Sequence, residues 1–379
     1  MKKLTCLLLC AVLLTLSLAG CGQSAQPAAT AAPEAQQSTE APAAQPAEEP
    51  AAAGREFTDD SGRTVTLPDE VTKVAVSGPL AQVYVFPLCP ELLVGFCKSY
   101  SGEAARYLPA EYLDLPELGQ LYGGKGTMDL EALLAADPDV VIDVGEAKGS
   151  IVEDLDALSE QTGIPFVHID ATVATAAQAY TRLGELTGKT EKAAELAAWC
   201  AETYEQIEAI MARVDADGAR KTITFNLGDK GLNVLAEGSF HAETVNLVGK
   251  NAAELAEVVS SGAGNEVDME QMLLWDPEVI VFDGASVYDT VGEDPTWQQL
   301  RAIREGEYFK VPFGPYGWLA SPPAVQRYLG MIWLAELLYP DYTDYELQEK
   351  VTEYYGLFYG YDLSDEDYRE LTDGALRQG

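Results

Sequence analysis

A fifteen-residue segment that occurs twice constrains the fold of this chain more than any other feature of its sequence. Residues 128–142 read MDLEALLAADPDVVI and residues 267–281 read VDMEQMLLWDPEVIV. Each copy predicts a short helix capped by an aspartate, Asp129 or Asp268, whose carboxylate accepts hydrogen bonds from the free amides of the first turn. An Asp-Pro pair then ends the helix, favours extended backbone at the residue before the proline, and leads into a buried strand. Two such copies imply two lobes of like construction.

Apolar runs alternate with helical patterns along the rest of the chain, which indicates an α/β fold. Residues 57–68 predict a hairpin, and short apolar runs follow at 73–77, 93–97, 140–144, 166–169, 222–226, 232–236, 279–282 and 309–311. Short buried strands with helices between them are typical of a mainly parallel sheet that is covered on both faces. We therefore expect two lobes, each a mainly parallel sheet flanked by helices.

A helical region without proline separates the two groups of strands. Residues 175–187 and 191–214 are rich in Ala, Leu and Glu, and Gly188 divides them. The second segment, of about 24 residues, would extend roughly 36 Å, which is long enough to bridge two lobes as one rigid interlobe helix. The predicted organisation is an amino-terminal lobe over 55–170, a helical connector over 171–220, and a carboxy-terminal lobe over 221–379 whose last helices pack on that lobe.

The amino terminus is predicted to be an export signal followed by a flexible tether. Residues 1–20 start with positive charge, continue with an apolar run too short for a comfortable membrane span, and end in Leu-Ala-Gly before Cys21. This tetrapeptide resembles a bacterial lipobox with Cys21 as the lipidated residue; an incidental Cys21 in an ordinary secreted protein is the alternative. Residues 21–54 hold almost only small and polar side chains and cannot build a core. We expect a lipid-anchored protein on the extracytoplasmic face of the cell membrane.

The composition argues against several classes of partner and site. A formal net charge of −37 disfavours nucleic acid, which selects basic surfaces. With two histidines and no Cys-x-x-Cys pair, we expect no structural zinc site. Cys89 and Cys97 either form a disulfide after export or remain as two buried thiols. Recognisable motifs of nucleophilic, metal-dependent or phosphate-binding catalysis are absent from the sequence, so we do not expect an enzyme.

Six segments in a fixed order carry a resemblance to a known family. They are FTDDSGRTVTLP (57–68), the two copies of the repeat, Gly-Glu-Leu-Thr-Gly (184–188), GSFHAETVNLVGKNAAE (238–254) and WLASPPAVQRYLG (318–330). Over about residues 57–340 the chain resembles the helical-backbone class, class III, of bacterial solute-binding proteins, which serve ABC importers of iron-siderophores, haem and cobalamin. The resemblance implies two α/β lobes joined by one stiff helix, with the ligand in the cleft between them.

Glu131 and Glu270 occupy the same position in the two copies of the repeat. From the residues alone, an acid in the first helical turn offsets the helix dipole and needs no other role. The resemblance implies instead that the two carboxylates engage arginines of the importer's membrane subunits, a permease dimer that works with ATPase subunits. The expected partners are this importer, a small-molecule metal chelate and, through the lipid anchor, the membrane. We expect the protein itself to be a monomer.

Aromatic residues near the ends of the predicted strands are candidates for the walls of the cleft, because ligands of open α/β sheets lie at the carboxyl ends of strands. These candidates are Tyr84, Tyr100, Tyr122, Tyr316 and Trp318. Aromatic walls suit large, partly apolar ligands such as porphyrins, corrins and aryl chelates. Rings of this kind also pack between loops and helices, which is the alternative for each of them.

Two polar residues complete the candidate site. His241 is either an axial ligand or hydrogen-bond donor to a metal chelate, or a residue that caps and packs locally. Arg327 either pairs with an anionic ligand or forms a salt bridge, and His168, in an apolar run, is expected to be structural.

We expect no resident cofactor and no metal held directly by the protein, because the expected ligand is a metal chelate, haem or a corrinoid. The alternatives are an oxyanion or free metal ion as cargo, a surface lipoprotein without a transport role, and an extracytoplasmic enzyme.

Overall fold

A sheet of three strands, a sheet of six strands and a separate two-stranded hairpin organise the part of the chain that the computed structural model describes, residues 54–122 and 127–377. The predicted signal peptide, Cys21 and the tether up to residue 53 lie outside the described residues. Within the described ranges, no helix combines the length and apolar character needed to cross a membrane.

The amino-terminal lobe contains a parallel sheet of three strands and a separate antiparallel hairpin. Its strands are β1 (Arg55–Thr58), β2 (Thr64–Leu67), β3 (Val74–Val76), β4 (Val140–Gly145) and β5 (Phe166–Asp170). Its helices are α1 (Pro79–Leu88), α2 (Leu130–Ala136), α3 (Ile151–Thr162) and α4 (Ala176–Thr187). The strand expected at 93–97 is not a regular element, because this segment bridges to two different neighbours, Leu93 to Val74 and Phe96 to Glu117.

One long helix connects the lobes, as expected. Helix α5 (Thr190–Ala216) has 27 residues, which gives it a length of about 40 Å. Gly188 adopts a φ of 75° and separates α4 from α5. A side chain at Gly184 would clash with the Cβ of Ala193, so this glycine allows the two helices to pack closely.

The carboxy-terminal lobe contains a sheet of six strands. Its strands are β6 (Thr222–Leu227), β7 (Asn233–Val234), β8 (Lys250–Asn251), β9 (Asn265–Glu266), β10 (Val279–Phe282) and β11 (Tyr308–Lys310). Its helices are α6 (Glu243–Val248), α7 (Met269–Trp275), α8 (Tyr288–Val291), α9 (Arg301–Glu305), α10 (Arg327–Leu338), α11 (Leu347–Tyr359) and α12 (Asp365–Leu371). The strand order is β11-β10-β6-β7-β9 with β8 beside β6. Strands β11, β10, β6 and β8 are parallel, whereas β7 and β9 join the sheet antiparallel.

The duplicated module forms the predicted helix and strand in both lobes. The Asp129 carboxylate accepts a hydrogen bond from the amide of Ala132 at 3.0 Å, and the Asp268 carboxylate accepts one from the amide of Gln271 at 2.8 Å. The strand that follows is β4 in one lobe and β10 in the other, so each copy belongs to its own sheet. The N-caps and the two-sheet arrangement therefore confirm the interpretation of the repeat.

The residue before each proline differs from the expectation of extended backbone. Asp137 has a φ of 51° and Asp276 a φ of 37°, and both are left-handed C-caps of their helices. Each amide still donates to the carbonyl four residues earlier, from Asp137 to Leu133 and from Asp276 to Met272. The prediction was wrong because the helix-capping conformation dominates here, and aspartate tolerates the left-handed region better than most side chains.

The last two helices bridge the lobes rather than packing only on the second one. Helix α11 contacts α1 of the amino-terminal lobe as well as α10. Arg106, in the amino-terminal lobe, forms ion pairs with Asp367 and with Glu370 of α12, the latter at 2.6 Å. The ring of Tyr107 also packs edge-on against Tyr355 of α11, with 5.2 Å between ring centroids. The carboxy-terminal segment therefore adds a second connection between the lobes beside α5.

Candidate ligand-binding site

A cavity of about 630 Å³ lies between the lobes, and both contribute to its walls. The amino-terminal lobe supplies Ser77, Gly78, Pro79, Leu80, Ala81, Tyr122, Asp143, Val144, Glu146 and Lys148, and the carboxy-terminal lobe supplies Phe240, His241, Ser260, Ser261, Gly262, Ala263 and Pro323. In the first lobe all of these residues except Tyr122 lie at or just after the carboxyl ends of β3 and β4. That position is where the fold class predicts a ligand.

A buried carboxylate forms part of the amino-terminal wall. Asp143 lies in β4, is 7% exposed and accepts a hydrogen bond from the hydroxyl of Ser77. Its other oxygen lies 2.7 Å from Nδ1 of His168, which is fully buried in β5. His168 is thus structural, as expected, and it fixes the orientation of Asp143. The two interactions leave the carboxylate with spare acceptor positions beside the cavity.

Tyr122 and one ion pair complete this wall. The Tyr122 hydroxyl donates to Oδ2 of Asp154 at 2.7 Å, and this hydrogen bond lowers the pKa of the Asp154 carboxyl. Lys148 and Glu146 pair at 2.9 Å, and both side chains are partly exposed to solvent. Among the described side chains of this wall, the charged groups are therefore the buried carboxylate of Asp143 and the ion pair of Lys148 with Glu146, whose charges cancel.

His241 is the titratable group of the opposite wall. Burial lowers the pKa of His241 to about 4, and the positive charges of Arg327 and Lys148 act in the same direction. The imidazole is therefore neutral at physiological pH. Its Nδ1 is buried and has no hydrogen-bond partner among the described residues, and it lies beneath the loop that carries Gly262. The amide of His241 donates to the hydroxyl of Ser239 at 3.2 Å, which holds the turn in place.

Four of the five aromatic candidates do not line this cavity; Tyr122 does. Tyr84 is buried in α1 against Tyr180, with 5.5 Å between ring centroids, and Trp318 is buried in the core. Tyr100 and Tyr316 hydrogen-bond to each other through their hydroxyls and join the two lobes. These four rings are occupied by packing, which was the alternative that the sequence left open.

Arg327 is a structural residue and not a wall of the cavity. It is 1% exposed and donates hydrogen bonds to the carbonyl of Phe240 at 3.0 Å and to Oε2 of Glu243 at 2.7 Å. Its guanidinium also lies 4.7 Å from the centre of the Phe240 ring. The interpretation as a partner for an anionic ligand is corrected, because Glu243 already neutralises the charge. Arg327 instead positions the segment that carries His241.

The small and charged residues that line the cavity were not predicted, because the candidate wall residues were chosen mainly for their aromatic side chains. Ser77 directly follows β3 and Asp143 belongs to β4, so the position of strand ends is the signal that identifies them. The loop 260–263 has no comparable signal, because it reaches the cavity only through the folding of the second lobe.

The remaining candidates lie away from the cavity. Glu131 and Glu270 are exposed, and neither forms an ion pair within residues 54–122 and 127–377. Cys89 and Cys97 are free and buried, so the disulfide is not formed in this structure. In the same ranges, no group of three or more acidic, histidine or cysteine side chains is arranged to hold a metal ion.

Solved structures of similar fold include three that match most of this chain. An ABC transporter solute binding protein from Sulfurospirillum deleyianum is 28% identical with a TM-score of 0.77, and the match covers 84% of this chain and 99% of that one. A periplasmic solute binding protein from Veillonella parvula is 23% identical with a TM-score of 0.68, over 85% of this chain and 98% of that one. The molybdate periplasmic binding protein MolA of Haemophilus influenzae, bound to molybdate, is 21% identical with a TM-score of 0.66, over 82% of this chain and 99% of that one.

At these identities the last two structures establish the fold alone. Among curated proteins, none matches the chain. The model of one protein family, described as periplasmic binding protein, matches residues 94–313, which is more than half of the chain. The two α/β lobes, the interlobe helix and this match lead to one conclusion: the chain belongs to the periplasmic binding protein family, as a class III solute-binding protein of ABC transporters.

Proposed function

We propose that this protein captures a chelated metal compound between its lobes and delivers it to the permease of an ABC importer. An iron-siderophore, haem or a cobalamin-like molecule is the proposed cargo, and a lipid on Cys21 would hold the protein at the extracytoplasmic face of the membrane. The observation that carries this proposal is the cavity of about 630 Å³ with walls from both lobes. A ligand that contacts both lobes stabilises one arrangement of the lobes, and a permease can distinguish that arrangement from the empty one.

The size of the cavity supports a bulky cargo. Sites for small organic ligands usually measure roughly 300 to 1,000 Å³, and this cavity falls within that range. A tetrahedral oxyanion would leave most of the space to water. The apolar side chains of Leu80, Val144 and Phe240 suit the organic part of a chelate.

His241 supports a cargo that carries a metal ion. A neutral imidazole is a good ligand for a transition metal, and its low pKa keeps it unprotonated at physiological pH. A chelate that leaves one coordination position open could accept a ring nitrogen of His241 after a change of rotamer or a shift of the loop 260–263. A buried nitrogen without a partner gains a bond in that complex.

An oxyanion is the second candidate cargo, because the structural relative MolA is bound to molybdate. The buried Asp143 carboxylate opposes an anion in this cavity. Lys148 does not offset Asp143, since it already pairs with Glu146. The described walls therefore favour a neutral or cationic group of the ligand next to Asp143.

Titration of the purified protein with haem, cobalamin, several ferric siderophores and molybdate tests the cargo, with tryptophan fluorescence as the readout. We expect saturable binding of one chelate class. His241→Ala should weaken that binding by about tenfold or more, which corresponds to the loss of one strong polar contact. Ser261→Ala, which removes a hydroxyl from the same wall, should change the affinity by no more than about twofold. Tight binding of molybdate alone would favour the second candidate, and binding of none of these compounds would refute the proposal.

Docking to the permease is proposed to use Glu131 and Glu270, one from each lobe. Both are exposed and sit at matching positions of the duplicated module, which suits a partner with two like subunits. The double variant Glu131→Ala with Glu270→Ala should lower uptake in cells and leave ligand affinity unchanged. A collapse of ligand affinity would mean instead that these carboxylates belong to the binding site.

A further inference from the structure

Exposed leucines are concentrated on the two copies of the duplicated module. In the described residues, seven large hydrophobic side chains are substantially exposed, and three of them lie on the seven-residue helices α2 and α7. They are Leu134, exposed to 50%, Leu273, exposed to 37%, and Leu274, exposed to 78%. Single exposed leucines are ordinary on protein surfaces, so the concentration on these helices is the feature that needs an explanation.

The exposed leucines occupy corresponding places in the two lobes. Leu134 and Leu273 align when the copies are superposed by sequence, and the residue before each of them is fully buried. Each follows the acid of its copy, Glu131 or Glu270, by three residues, so acid and leucine share one face of the helix. Leu274 follows Glu270 by four residues and extends this face in the second lobe.

We propose that Leu134 in one lobe, and Leu273 with Leu274 in the other, are apolar docking contacts that insert into the two permease subunits beside the sites that receive Glu131 and Glu270. This inference rests on the proposed transport function. The partner surface is an apolar socket next to a basic group, present once on each of two like subunits. We refer to each leucine with its neighbouring acid as a docking face.

Charge complementarity and repetition identify this partner. Neither Glu131 nor Glu270 has an ion-pair partner in the described part of the chain, so each carboxylate is available to a basic group. The same combination of acid and leucine occurs once per lobe, and a partner that binds both must present its complementary surface twice. A dimer of permease subunits meets that requirement.

The leucines and the acids contribute differently to docking. Attraction between exposed charges is screened by salt, whereas burial of apolar surface is not weakened by it. The leucines should therefore supply the part of the affinity that persists at high salt. In the second lobe, Leu274 replaces the smaller Ala135 of the first copy, so that lobe should supply the larger apolar share.

The test measures docking of the full-length protein to the host's own permease–ATPase complex, reconstituted in lipid nanodiscs, at low and high salt. The triple variant Leu134→Gln, Leu273→Gln, Leu274→Gln should dock about tenfold more weakly or worse at both salt concentrations. A control with Val152→Gln and Phe313→Gln removes two exposed apolar side chains outside the modules and should dock as the wild type does. A second variant with methionine at the three leucine positions should retain docking, because it keeps the apolar contact.

The outcomes separate this inference from the proposed function. Ligand affinity and circular dichroism of the glutamine variant should match the wild type, which shows that the fold is intact. If the wild type docks and the glutamine variant docks equally well, the leucines have no role and the inference is overturned while the transport function stands. If the wild type itself binds ligand but does not dock, the proposed delivery to this permease fails and the inference fails with it.

Discussion

Replacement of Arg327 by methionine tests how the core of the second lobe supports the cavity. The guanidinium is buried and donates to the carbonyls of Phe240 and Ala324, at 3.0 and 3.3 Å, and to the carboxylate of Glu243 at 2.7 Å. Methionine keeps much of the apolar stem and removes all three donors. We expect a less stable protein in which the segment that carries His241 is less well held.

The expected loss of unfolding free energy follows from the burial of the ion pair between Arg327 and Glu243. Removal of one partner from a buried ion pair typically costs about 3 to 5 kcal/mol, because the other charge is left uncompensated. The Glu243 side chain remains a quarter exposed and accepts a further hydrogen bond from the amide of Val173, so water and backbone partly compensate it. We therefore expect a loss near the lower end, about 3 kcal/mol of unfolding free energy. Addition of Glu243→Gln to Arg327→Met should recover part of the loss, since it removes the stranded charge.

Urea unfolding measures the loss of stability. NMR titration of the histidine ring protons measures the pKa of His241, which the substitution should also change. The charge of Arg327 lowers the pKa of His241, so Arg327→Met should raise the pKa of this imidazole. Lys350→Met is the matched control, because Lys350 pairs with Glu353 at 3.7 Å on the surface and such pairs contribute at most about 1 kcal/mol. A loss for Arg327→Met no larger than that of the control, with an unchanged His241 titration, would refute this account of Arg327.

Three further predictions concern local features of the fold. Asp129→Ala and Asp268→Ala should each lower the unfolding free energy by about 1 kcal/mol through loss of an N-cap, and the asparagine variants should not, as urea unfolding would reveal. Burial raises the pKa of the Cys89 and Cys97 thiols to about 12, so a thiol reagent at neutral pH should modify them only on unfolding; rapid modification of the native protein would contradict this. Because the folded-state pKa of His241 is lowered from 6.5 to about 4, its contribution to stability is complete above pH 6.5 and is lost as the pH falls towards 4. Replacement by asparagine should flatten the fall in stability over that window.

Local sequence signals predicted the regular elements and the repeat well. The N-caps Asp129 and Asp268, the hairpin over 57–68 and the long helix α5 follow from capping, turn and composition patterns that act within a few residues. The position of Tyr84 was misjudged for a local reason too. Tyr84 was expected near the end of the strand over 73–77, but proline is favoured at the first position of a helix, and α1 begins at Pro79 and includes Tyr84.

The composition of the cavity could be predicted only in part, because long-range packing decides it. Tyr316 and Trp318 lie in the loop region where the fold class expects ligand contacts, yet one hydrogen-bonds across the lobes and the other is buried. Arg327 finds its partner 84 residues earlier in the chain, at Glu243. Separations of this kind leave no periodic or capping signal, so residue type alone could not distinguish a wall of the cavity from a core residue.

The two lobes share surface features of the duplicated module but differ in their cavity walls, and this difference agrees with the two proposed partners. Asp137 and Asp276 adopt the same left-handed cap, and Leu134 and Leu273 are both exposed, so the outer surface of the module is preserved twice. The cavity walls are unlike each other, with a buried carboxylate on one side and the neutral His241 on the other. A partner of two like subunits requires the same surface from each lobe, whereas a chelate without internal symmetry is bound best by two dissimilar walls. The proposed docking to a permease dimer therefore accounts for the surface that the two modules share, and the proposed binding of a chelate accounts for the unlike cavity walls.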